Sequence, residues 1–482
     1  MRGNGNGSSV IDLGVQLGYI TEGLLILIRK LFPGVGNTGA NHAVGSALVS
    51  PPNCIAQGMP CFSVPPPSLF ACSPKMGQSL RHFGNTINRT PLALNNDNQL
   101  FSLGSLIDSG EIVDLAKSKR GYAIVENNFP GHGDPSRTKL YDTFLLQDVF
   151  YSVCADPVGN FFMQMLVEQS SRAERARIIS LVQGYLTVLS CNRYSTRVVQ
   201  KLWRMLDENM RILFLGELDG HEIDTAIDEN GTHFIQTIIS SSPISTLTSI
   251  VQAFISTNVR VVTLAEDRNG CRVLQIVIEK FEKEMASTSS QEIKVFAEKL
   301  LMAVIGNLER FVNHQFANYV IQCIFSLSVL SRYANMAICK LFGKLLVLSQ
   351  EKYASHVVEK ALECGSTAAL CSIMDEIFDG YQCDRRASVL WAEGWKQGYE
   401  YENCSDGADA LEILMFDEFG NYVVQKMFEV AIDVRNGKRN GKLEWFDRLA
   451  QRIGERHDQL CRYSSGKKLI ERLSKVSVCF NF

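Results

Sequence analysis

The chain has 482 residues, 46% of them hydrophobic, and a formal net charge of −3. It can bury one or more large cores, and it lacks the broadly basic surface of a protein that holds nucleic acid through bulk phosphate attraction. Its 14 cysteines form no CxxC pair and no zinc-site spacing with histidines, so we expect no metal, no disulfide framework and a reducing compartment.

Residues 1–100 differ in composition from the rest of the chain. They contain nine of the 13 prolines and many Asn, Gly and Ser residues, which together disfavour long helices. We expect a low-complexity, largely disordered N-terminal arm over 1–100 and a folded domain over 101–482. The apolar run Gly23–Ile28 is too short to cross a bilayer, and the first residues do not resemble a signal peptide. We therefore expect a cytoplasmic protein without a membrane partner.

From residue 160 onwards one pentad recurs: a small polar residue, then an aromatic residue, Arg or His, then two apolar residues and Gln or Glu. Its starts are 36 to 39 residues apart, except for two intervals of 47 and 66 residues. Such a period is typical of a helical solenoid, in which no repeat buries its apolar stripe alone. The seven copies are NFFMQ at Asn160, TRVVQ at Thr196, THFIQ at Thr232, CRVLQ at Cys271, NYVIQ at Asn318, SHVVE at Ser355 and NYVVQ at Asn421.

Each repeat shows the pattern of two helices: an amphipathic stretch such as Arg172–Val182, a short link, and a second helix that carries the pentad. In four copies an Asp stands three residues before the Gly that opens the pentad helix, where it can cap that helix. A calcium loop would need further acidic ligands, which are missing. The Asp/Gly pairs are Asp156/Gly159, Asp228/Gly231, Asp267/Gly270 and Asp417/Gly420.

Two insertions lengthen the array. One, at 280–299, is charged and Ser-rich, and the other, at roughly 379–410, contains Trp391, Trp395, Tyr399 and Tyr401 among acidic and Gly residues. Insertions between repeats usually form loops, so both are predicted to be loops. Because exposed aromatic residues can mark an interaction surface, the second is also a candidate site for a protein partner.

The pentad places three chemical groups on one helix face, because its first and last residues are four positions apart and its second and last are three apart. Stacking of a planar side chain on a base contributes about 1–3 kcal/mol, and an amide or carboxylate can bond a base edge. One such pentad would indicate only a solvated helix surface, but seven in phase favour base recognition. The candidate site residues are Asn160, Phe161, Gln164, Thr196, Arg197, Gln200, Thr232, His233, Gln236, Cys271, Arg272, Gln275, Asn318, Tyr319, Gln322, Ser355, His356, Glu359, Asn421, Tyr422 and Gln425.

The pentads NYVVQ, NYVIQ, CRVLQ and SHVVE resemble the base-reading helices of Pumilio/PUF RNA-binding repeats, and the resemblance covers roughly 105–475. It implies an all-α, crescent-shaped, right-handed α-solenoid of eight three-helix repeats with a C-terminal cap. It also implies that single-stranded messenger RNA is the partner and lies along the concave face.

Two terminal segments extend the resemblance. In the first, Gly121 aligns with the pentad glycines, so a divergent first repeat would contribute Tyr122, Ala123 and Glu126. Ala123 cannot stack on a base, and Tyr122 and Glu126 are weaker candidates for RNA binding than the pentads. The second segment, Tyr463–Leu473, resembles the closing cap, with Lys468 where the family often has His.

The resemblance also implies a base code that runs antiparallel to the protein: Asn with Gln for uracil, Ser with Glu for guanine, and Cys with Gln for adenine. The pentads from Asn421 back to Cys271 then give U, G, U and A, and Asn160 gives U. The Thr-led pairs at Thr196 and Thr232 leave two bases open. The expected target is 5′-UGUANNU in a messenger RNA, in its 3′-UTR, through which the protein would regulate translation or mRNA stability.

Two other classes of function are open to such a chain. A HEAT-like scaffold for protein–protein interaction, with degenerate RNA-reading triplets, would share the helical array. An enzyme is disfavoured, because the glycine-rich 3–7 segment follows no strand and His221-Glu222 lacks the second His of a zinc protease motif. We expect no enzymatic activity and no cofactor. Protein effectors of translation or decay are candidate partners for the convex face or for the 379–410 insert.

Overall fold

The structure is a computed structural model that describes residues 103–288, 290–380 and 409–479, with side chains up to residue 474. In these ranges the regular elements are α-helices joined by short turns. The predicted N-terminal arm and the aromatic part of the second insert lie outside the described residues, so these two predictions remain untested.

The helices of the described residues, numbered in chain order, group into eight repeats of three and a C-terminal cap. Repeats 1 to 3 contain α1 (Leu103–Asp108), α2 (Glu111–Ala116), α3 (Lys119–Asn127), α4 (Pro135–Phe144), α5 (Gln147–Cys154), α6 (Gly159–Gln169), α7 (Arg172–Val182), α8 (Leu186–Cys191) and α9 (Ser195–Met205). Repeats 4 to 6 contain α10 (Glu208–Gly216), α11 (Glu222–Ile227), α12 (Gly231–Ser241), α13 (Thr248–Ile255), α14 (Asn258–Glu266), α15 (Gly270–Ser287), α16 (Gln291–Gly306), α17 (Leu308–Val312) and α18 (Ala317–Phe325). Repeats 7 and 8 contain α19 (Ser331–Cys339), α20 (Leu345–Ser349), α21 (Ala354–Cys364), α22 (Thr367–Asp379), α23 (Ala410–Phe416) and α24 (Gly420–Arg435), and the cap contains α25 (Glu444–Glu455), α26 (His457–Leu460) and α27 (Ser464–Cys479).

The two-helix pattern predicted for each repeat is wrong in one respect, because the link between the two helices is itself a short helix. In repeat 2 this helix is α5, whose Phe150 and Val153 are fully buried. These middle helices have between five and nine residues in repeats 2 to 8, which is too short for a helical periodicity to be recognised in the sequence. The three-helix repeat implied by the family resemblance is the one observed.

The third helices of the repeats form one continuous layer. Each pentad helix from α6 to α21 packs against the pentad helix of the next repeat, α3 packs against α6, and α24 packs against the cap helix α27. The first helices α10, α13, α16, α19 and α22 form a second layer in the same successive manner. The buried side chains of the described repeats join in one hydrophobic core. Stability therefore depends on contacts between neighbouring repeats, as expected of a solenoid.

The insert at 280–299 is not a loop, which contradicts the prediction. Helix α15 continues to Ser287 and α16 begins at Gln291, so the stretch between them is only three residues long. The segment has no Gly or Pro to end a helix, and its charges support one: Lys280 Nζ lies 3.2 Å from the Glu284 carboxylate, four residues later. The insertion therefore lengthens two helices.

Candidate nucleic-acid interface

The turn before each pentad helix is fixed by one polar side chain. In repeat 2, Asp156 Oδ1 accepts hydrogen bonds from the backbone N–H groups of Val158 (2.8 Å) and Gly159 (2.7 Å). The aspartates before Gly231, Gly270 and Gly420 bond these glycine N–H groups at 2.7 to 2.8 Å. The capping role predicted for the four Asp residues is confirmed.

Two other repeats achieve the same turn with residues that the sequence did not single out. Asn192 Oδ1 accepts from the Ser195 N–H at 3.1 Å in repeat 3, and His314 Nδ1 accepts from the Ala317 N–H at 3.2 Å in repeat 6. The signal that could have revealed them is the constant spacing of three residues before the small residue that opens the helix.

The first residue of each pentad helix has to be small. A Cβ built on Gly270 would lie 2.6 Å from the carbonyl oxygen of Leu264, in the preceding helix. Repeats 3, 6 and 7 have Ser195, Ala317 and Ala354 at this position, all buried. The pentad helix thus starts in close contact with the middle helix, which fixes its position in the layer.

The three chemical groups of each pentad lie on one surface but at different depths. The first residue is buried in all seven copies, with an exposed fraction of 5% or less. The planar second residue is exposed in six copies and half-buried at Arg272, and the fifth residue lies between the two depths or is buried. In the layer of pentad helices, the first residues of the pentads are therefore buried, and the planar second residues project beyond them in a row.

The first and fifth residues are hydrogen-bonded to each other in five of the seven pentads, where the amide Nε2 of Gln donates to the side-chain oxygen of Asn or Thr. The distances are 3.0 Å for Gln164–Asn160, 3.1 Å for Gln200–Thr196, 3.0 Å for Gln236–Thr232, 2.8 Å for Gln322–Asn318 and 3.0 Å for Gln425–Asn421. Each Asn is also held from behind, because its Nδ2 donates to a backbone carbonyl one turn earlier, as Asn318 does to His314 at 2.7 Å. The orientation of each Asn–Gln pair is thus fixed without a ligand.

Repeats 5 and 7 have different chemistry. In repeat 5, Gln275 Nε2 donates to the Cys271 carbonyl (3.2 Å) and its Oε1 accepts from Arg272 (3.2 Å). Burial raises the pKa of the Cys271 thiol to about 11, so this residue is an uncharged thiol. In repeat 7, Glu359 Oε1 lies 3.1 Å from His356 Nδ1. Here the fifth residue is a carboxylate, which accepts hydrogen bonds and donates none.

The two histidines among the planar residues differ in their protonation. The hydrogen bond to Glu359 raises the pKa of His356 above its ordinary value. Burial lowers the pKa of His233, and the positive charge of Arg197 in the neighbouring repeat lowers it further. At any one pH the planar group of repeat 7 is therefore protonated to a greater extent than that of repeat 4.

The two ends of the layer deviate from the pentad pattern. In repeat 1 the Tyr122 hydroxyl donates to Glu126 at 2.9 Å, Tyr122 is half-buried, and Ala123 and Glu126 are exposed. Burial and this hydrogen bond raise the pKa of Tyr122, so it stays a neutral phenol. In the cap, Lys468 is exposed on α27.

Other kinds of site were also sought among the described residues. No cluster of three or more His, Cys, Asp or Glu side chains there could hold a metal ion. None of the described helices combines the length and the apolar content needed to span a bilayer.

Comparison with known proteins gives a consistent result. The Pumilio-family RNA binding repeat matches residues 150–182, 187–218, 260–285, 310–328, 344–378 and 413–433. Pumilio domain-containing protein 5 of Caenorhabditis elegans is 30% identical over 392 residues, which are 78% of this chain and 67% of that protein. Fem-3 mRNA-binding factor 1 of the same organism is 28% identical over 434 residues, 84% of this chain and 67% of that protein. The chain thus spans about two thirds of the length of these relatives.

Solved structures show the same fold. The structure of PUF-6 in complex with 5BE13 RNA has a TM-score of 0.65 and 27% identity, and the match covers 78% of this chain and 100% of that one. The Puf3 RNA binding domain bound to the Cox17 RNA 3′ UTR recognition sequence, site A, has a TM-score of 0.59 and 22% identity, with 83% and 99% of the two chains covered. The predicted all-α solenoid is confirmed by these matches.

Proposed function

The chain belongs to the Pumilio/PUF family of RNA-binding repeat proteins, and on that premise we propose that it binds 5′-UGUANNU in the 3′-UTR of messenger RNAs and so regulates their translation or stability. The residues proposed to contact RNA are the seven pentad triplets. Tyr122 and Glu126 of repeat 1 are weaker candidates.

The observation that carries the proposal is the fixed orientation of the hydrogen-bonded pairs between first and fifth residues. A bound Gln that donates one N–H to its partner still has a second N–H and a carbonyl oxygen to offer. Uracil and adenine each place one donor beside one acceptor on the Watson–Crick edge, which suits this group. The choice between the two bases follows the family code for Asn–Gln and Cys–Gln.

Repeat 7 has the complementary chemistry for guanine. Guanine presents two adjacent donors, N1–H and N2–H, and an acceptor-only carboxylate such as Glu359 can accept from both. The carboxylate is partly exposed, with 22% of the side-chain surface open to solvent, so a base can reach it. This repeat would read the second base of the target.

The planar residues supply binding strength that does not depend on sequence. Phe161, Tyr319 and Tyr422 are 37%, 41% and 49% exposed, although aromatic side chains of this size are usually buried. Because consecutive pentad helices lie side by side, bases inserted between these groups would stack in series. Stacking contributes affinity, and the first–fifth pairs contribute selectivity.

The regulatory role is supported by the names of similar proteins. Fem-3 mRNA-binding factor 1 is named for an mRNA, and the Puf3 structure holds a 3′ UTR recognition sequence. We extend these properties to this chain as proposals, together with a cytoplasmic location. Protein effectors are proposed to bind the convex face or the 379–410 insert.

A titration with short fluorescent RNAs tests the proposal. UGUANNU and ACAANNU differ at three bases, and each mismatched base costs about 1–3 kcal/mol in sequence-specific recognition, so we expect at least roughly 100-fold weaker binding of ACAANNU. As a control, Val259→Ala should show the same two affinities as the wild type, because Val259 is 72% exposed on the middle helix α14, away from the pentads. Equal affinity for the two RNAs would contradict the proposal and favour the HEAT-like scaffold.

A further inference from the structure

A chain of buried polar groups crosses the junction between repeats 3 and 4 and engages both ends of one pentad amide. Gln200 is only 6% exposed. One end of its amide, Nε2, lies 3.1 Å from Thr196 Oγ1 in its own repeat. The other end, Oε1, lies 3.2 Å from Thr237 Oγ1, which belongs to the next repeat.

The groups that hold Gln200 are themselves held. The Thr237 hydroxyl has a single hydrogen and faces two acceptors, Gln200 Oε1 and the His233 carbonyl, the latter at 2.9 Å. The Thr237 carbonyl accepts from Ser241 Oγ at 2.6 Å. Ser241 Oγ in turn accepts from Nε1 of the fully buried Trp203 at 3.0 Å. If the Gln200 amide were turned over, a hydroxyl would still face each of its ends, since a hydroxyl both donates and accepts. Gln200 therefore has a buried partner at each end of its amide in either orientation, whereas Gln275, which is also bonded at both ends, is held at Oε1 by the 42% exposed side chain of Arg272.

Repeat 4 provides an internal comparison, because it has the same Thr–Gln pair in a different setting. Gln236 Nε2 donates to Thr232 Oγ1 at 3.0 Å, and Gln236 is only half-buried. The residue of repeat 5 that corresponds to Thr237 is Ile276, whose side chain has no polar atom. The two Thr–Gln repeats thus differ in whether a hydroxyl from the following repeat occupies the amide.

Thr237 is the only hydroxyl residue at this position of the array. The position in question is the residue directly after the pentad of the following repeat. For the pentads that end at Gln164, Gln200, Gln236, Gln275, Gln322 and Glu359, it is Lys201, Thr237, Ile276, Cys323, Lys360 and Lys426, respectively. Of the residues described, Cys323 makes the nearest equivalent contact, but its Sγ contacts the backbone carbonyl of Gln275, at 3.9 Å, and not the side-chain amide.

We infer that Thr237 is a specificity-determining residue: by occupying Gln200 it makes repeat 3 indifferent to the identity of its base, whereas repeat 4 selects its base. The inference rests on the proposed function. In 5′-UGUANNU the fifth base, facing repeat 4, is selected by Gln236. The sixth base is held by stacking on Arg197 without selection by its edge. The two undefined bases of the target are therefore not equivalent.

The test compares RNAs that differ only at the third, fifth or sixth base, with all four bases at each position. The measured quantity is the spread, the ratio of the weakest to the tightest Kd within one position. Selection by one well-formed pair is worth about 1.4 kcal/mol or more, which is a spread of roughly 10-fold or more. We expect this spread at the third and fifth bases, and a spread below about 3-fold at the sixth base.

Reciprocal variants locate the cause. Thr237→Val keeps the shape of the side chain but removes the hydroxyl, and should raise the spread at the sixth base to roughly 10-fold while the fifth is unchanged. Ile276→Thr places a hydroxyl beside Gln236, and should lower the spread at the fifth base while the sixth is unchanged. A thermal melt of each variant confirms folding, and Ile276→Thr alone still tests the inference if Thr237→Val does not fold.

Each outcome has one meaning. Equal spreads at the fifth and sixth bases in the wild type, or no change in either variant, would overturn the inference while selection at the third base upheld the proposed function. No selection at the third base, which faces Asn318 and Gln322, would overturn the proposed function and the inference with it.

Discussion

Replacing Glu359 with Gln changes the chemistry of repeat 7 at constant shape. One carboxylate oxygen becomes an NH₂ group, so one of the two guanine donors loses its acceptor and faces another donor. A hydrogen bond to a charged group contributes about 1.5–3 kcal/mol. We take about 2 kcal/mol for a carboxylate that is still 22% exposed, which is roughly a 30-fold loss of affinity for UGUA RNA.

The assay measures Kd for UGUA and UAUA oligonucleotides at one fixed salt concentration, because affinity for nucleic acid depends on salt. We expect the preference for guanine to fall in Glu359→Gln and the second base to be relaxed. Glu363→Gln is the matched control: it removes the same charge one helical turn later, from a side chain that is 54% exposed and paired with Lys360. It should keep the preference for guanine.

The pKa of His356 shows independently whether the substitution reached its target. The hydrogen bond to Glu359 raises this pKa in the wild type, so an NMR titration should find it above 6.5, and lower in Glu359→Gln. A raised pKa means that the pair stabilises the protein below pH 6.5 and loses this effect as the pH rises through the folded-state pKa. A lowered His356 pKa together with an unchanged preference for guanine would refute the assignment of Glu359 as the base reader.

Two further predictions concern stability, measured by urea unfolding. Gly270→Ala should lower the free energy of unfolding by about 1–3 kcal/mol, because the new Cβ would meet a carbonyl oxygen at 2.6 Å. The control Gly306→Ala, whose Cβ would have nothing within 4 Å, should change it by less than about 1 kcal/mol. Equal effects of the two substitutions would contradict the close approach at Gly270. Arg137→Met should cost about 3–5 kcal/mol at pH 7, because Arg137 is 5% exposed and its loss leaves Glu174, bonded at 2.8 Å, as a poorly solvated unpaired charge. Burial raises the pKa of Glu174, but the hydrogen bond from Arg137 and those at the start of its helix outweigh this effect and lower the pKa to about 2. The stabilisation of the fold by this ion pair is thus present above pH 4.5 and lost as the pH falls toward 2. If the loss of unfolding free energy in Arg137→Met did not shrink in acid, this assignment would be contradicted.

The predictable parts of the molecule are those with a local signal. The pentad helices and their Asp caps follow from residues within one turn of each other, such as Asp267 and Gly270. The middle helices are not predictable because they are too short to show a period. The helical insert at 280–299 is not predictable because a charged, Ser-rich composition is also typical of loops. The Thr237–Gln200 contact joins residues 37 positions apart. Only the packing of two repeats brings them together, so no pattern within one pentad contains it.

The hydrogen-bonded Asn–Gln pairs affect the thermodynamics of ligand binding. A free Gln side chain loses up to about 1.5–2 kcal/mol of rotamer entropy when it is immobilised. At Gln164, Gln322 and Gln425 much of this loss occurs when the solenoid folds, since each amide is already bonded to its Asn. The ordering that remains at association falls mainly on the nucleic acid, whose bases must separate from one another. Affinity should therefore vary more with the flexibility of the RNA around its target than with motion of the protein surface.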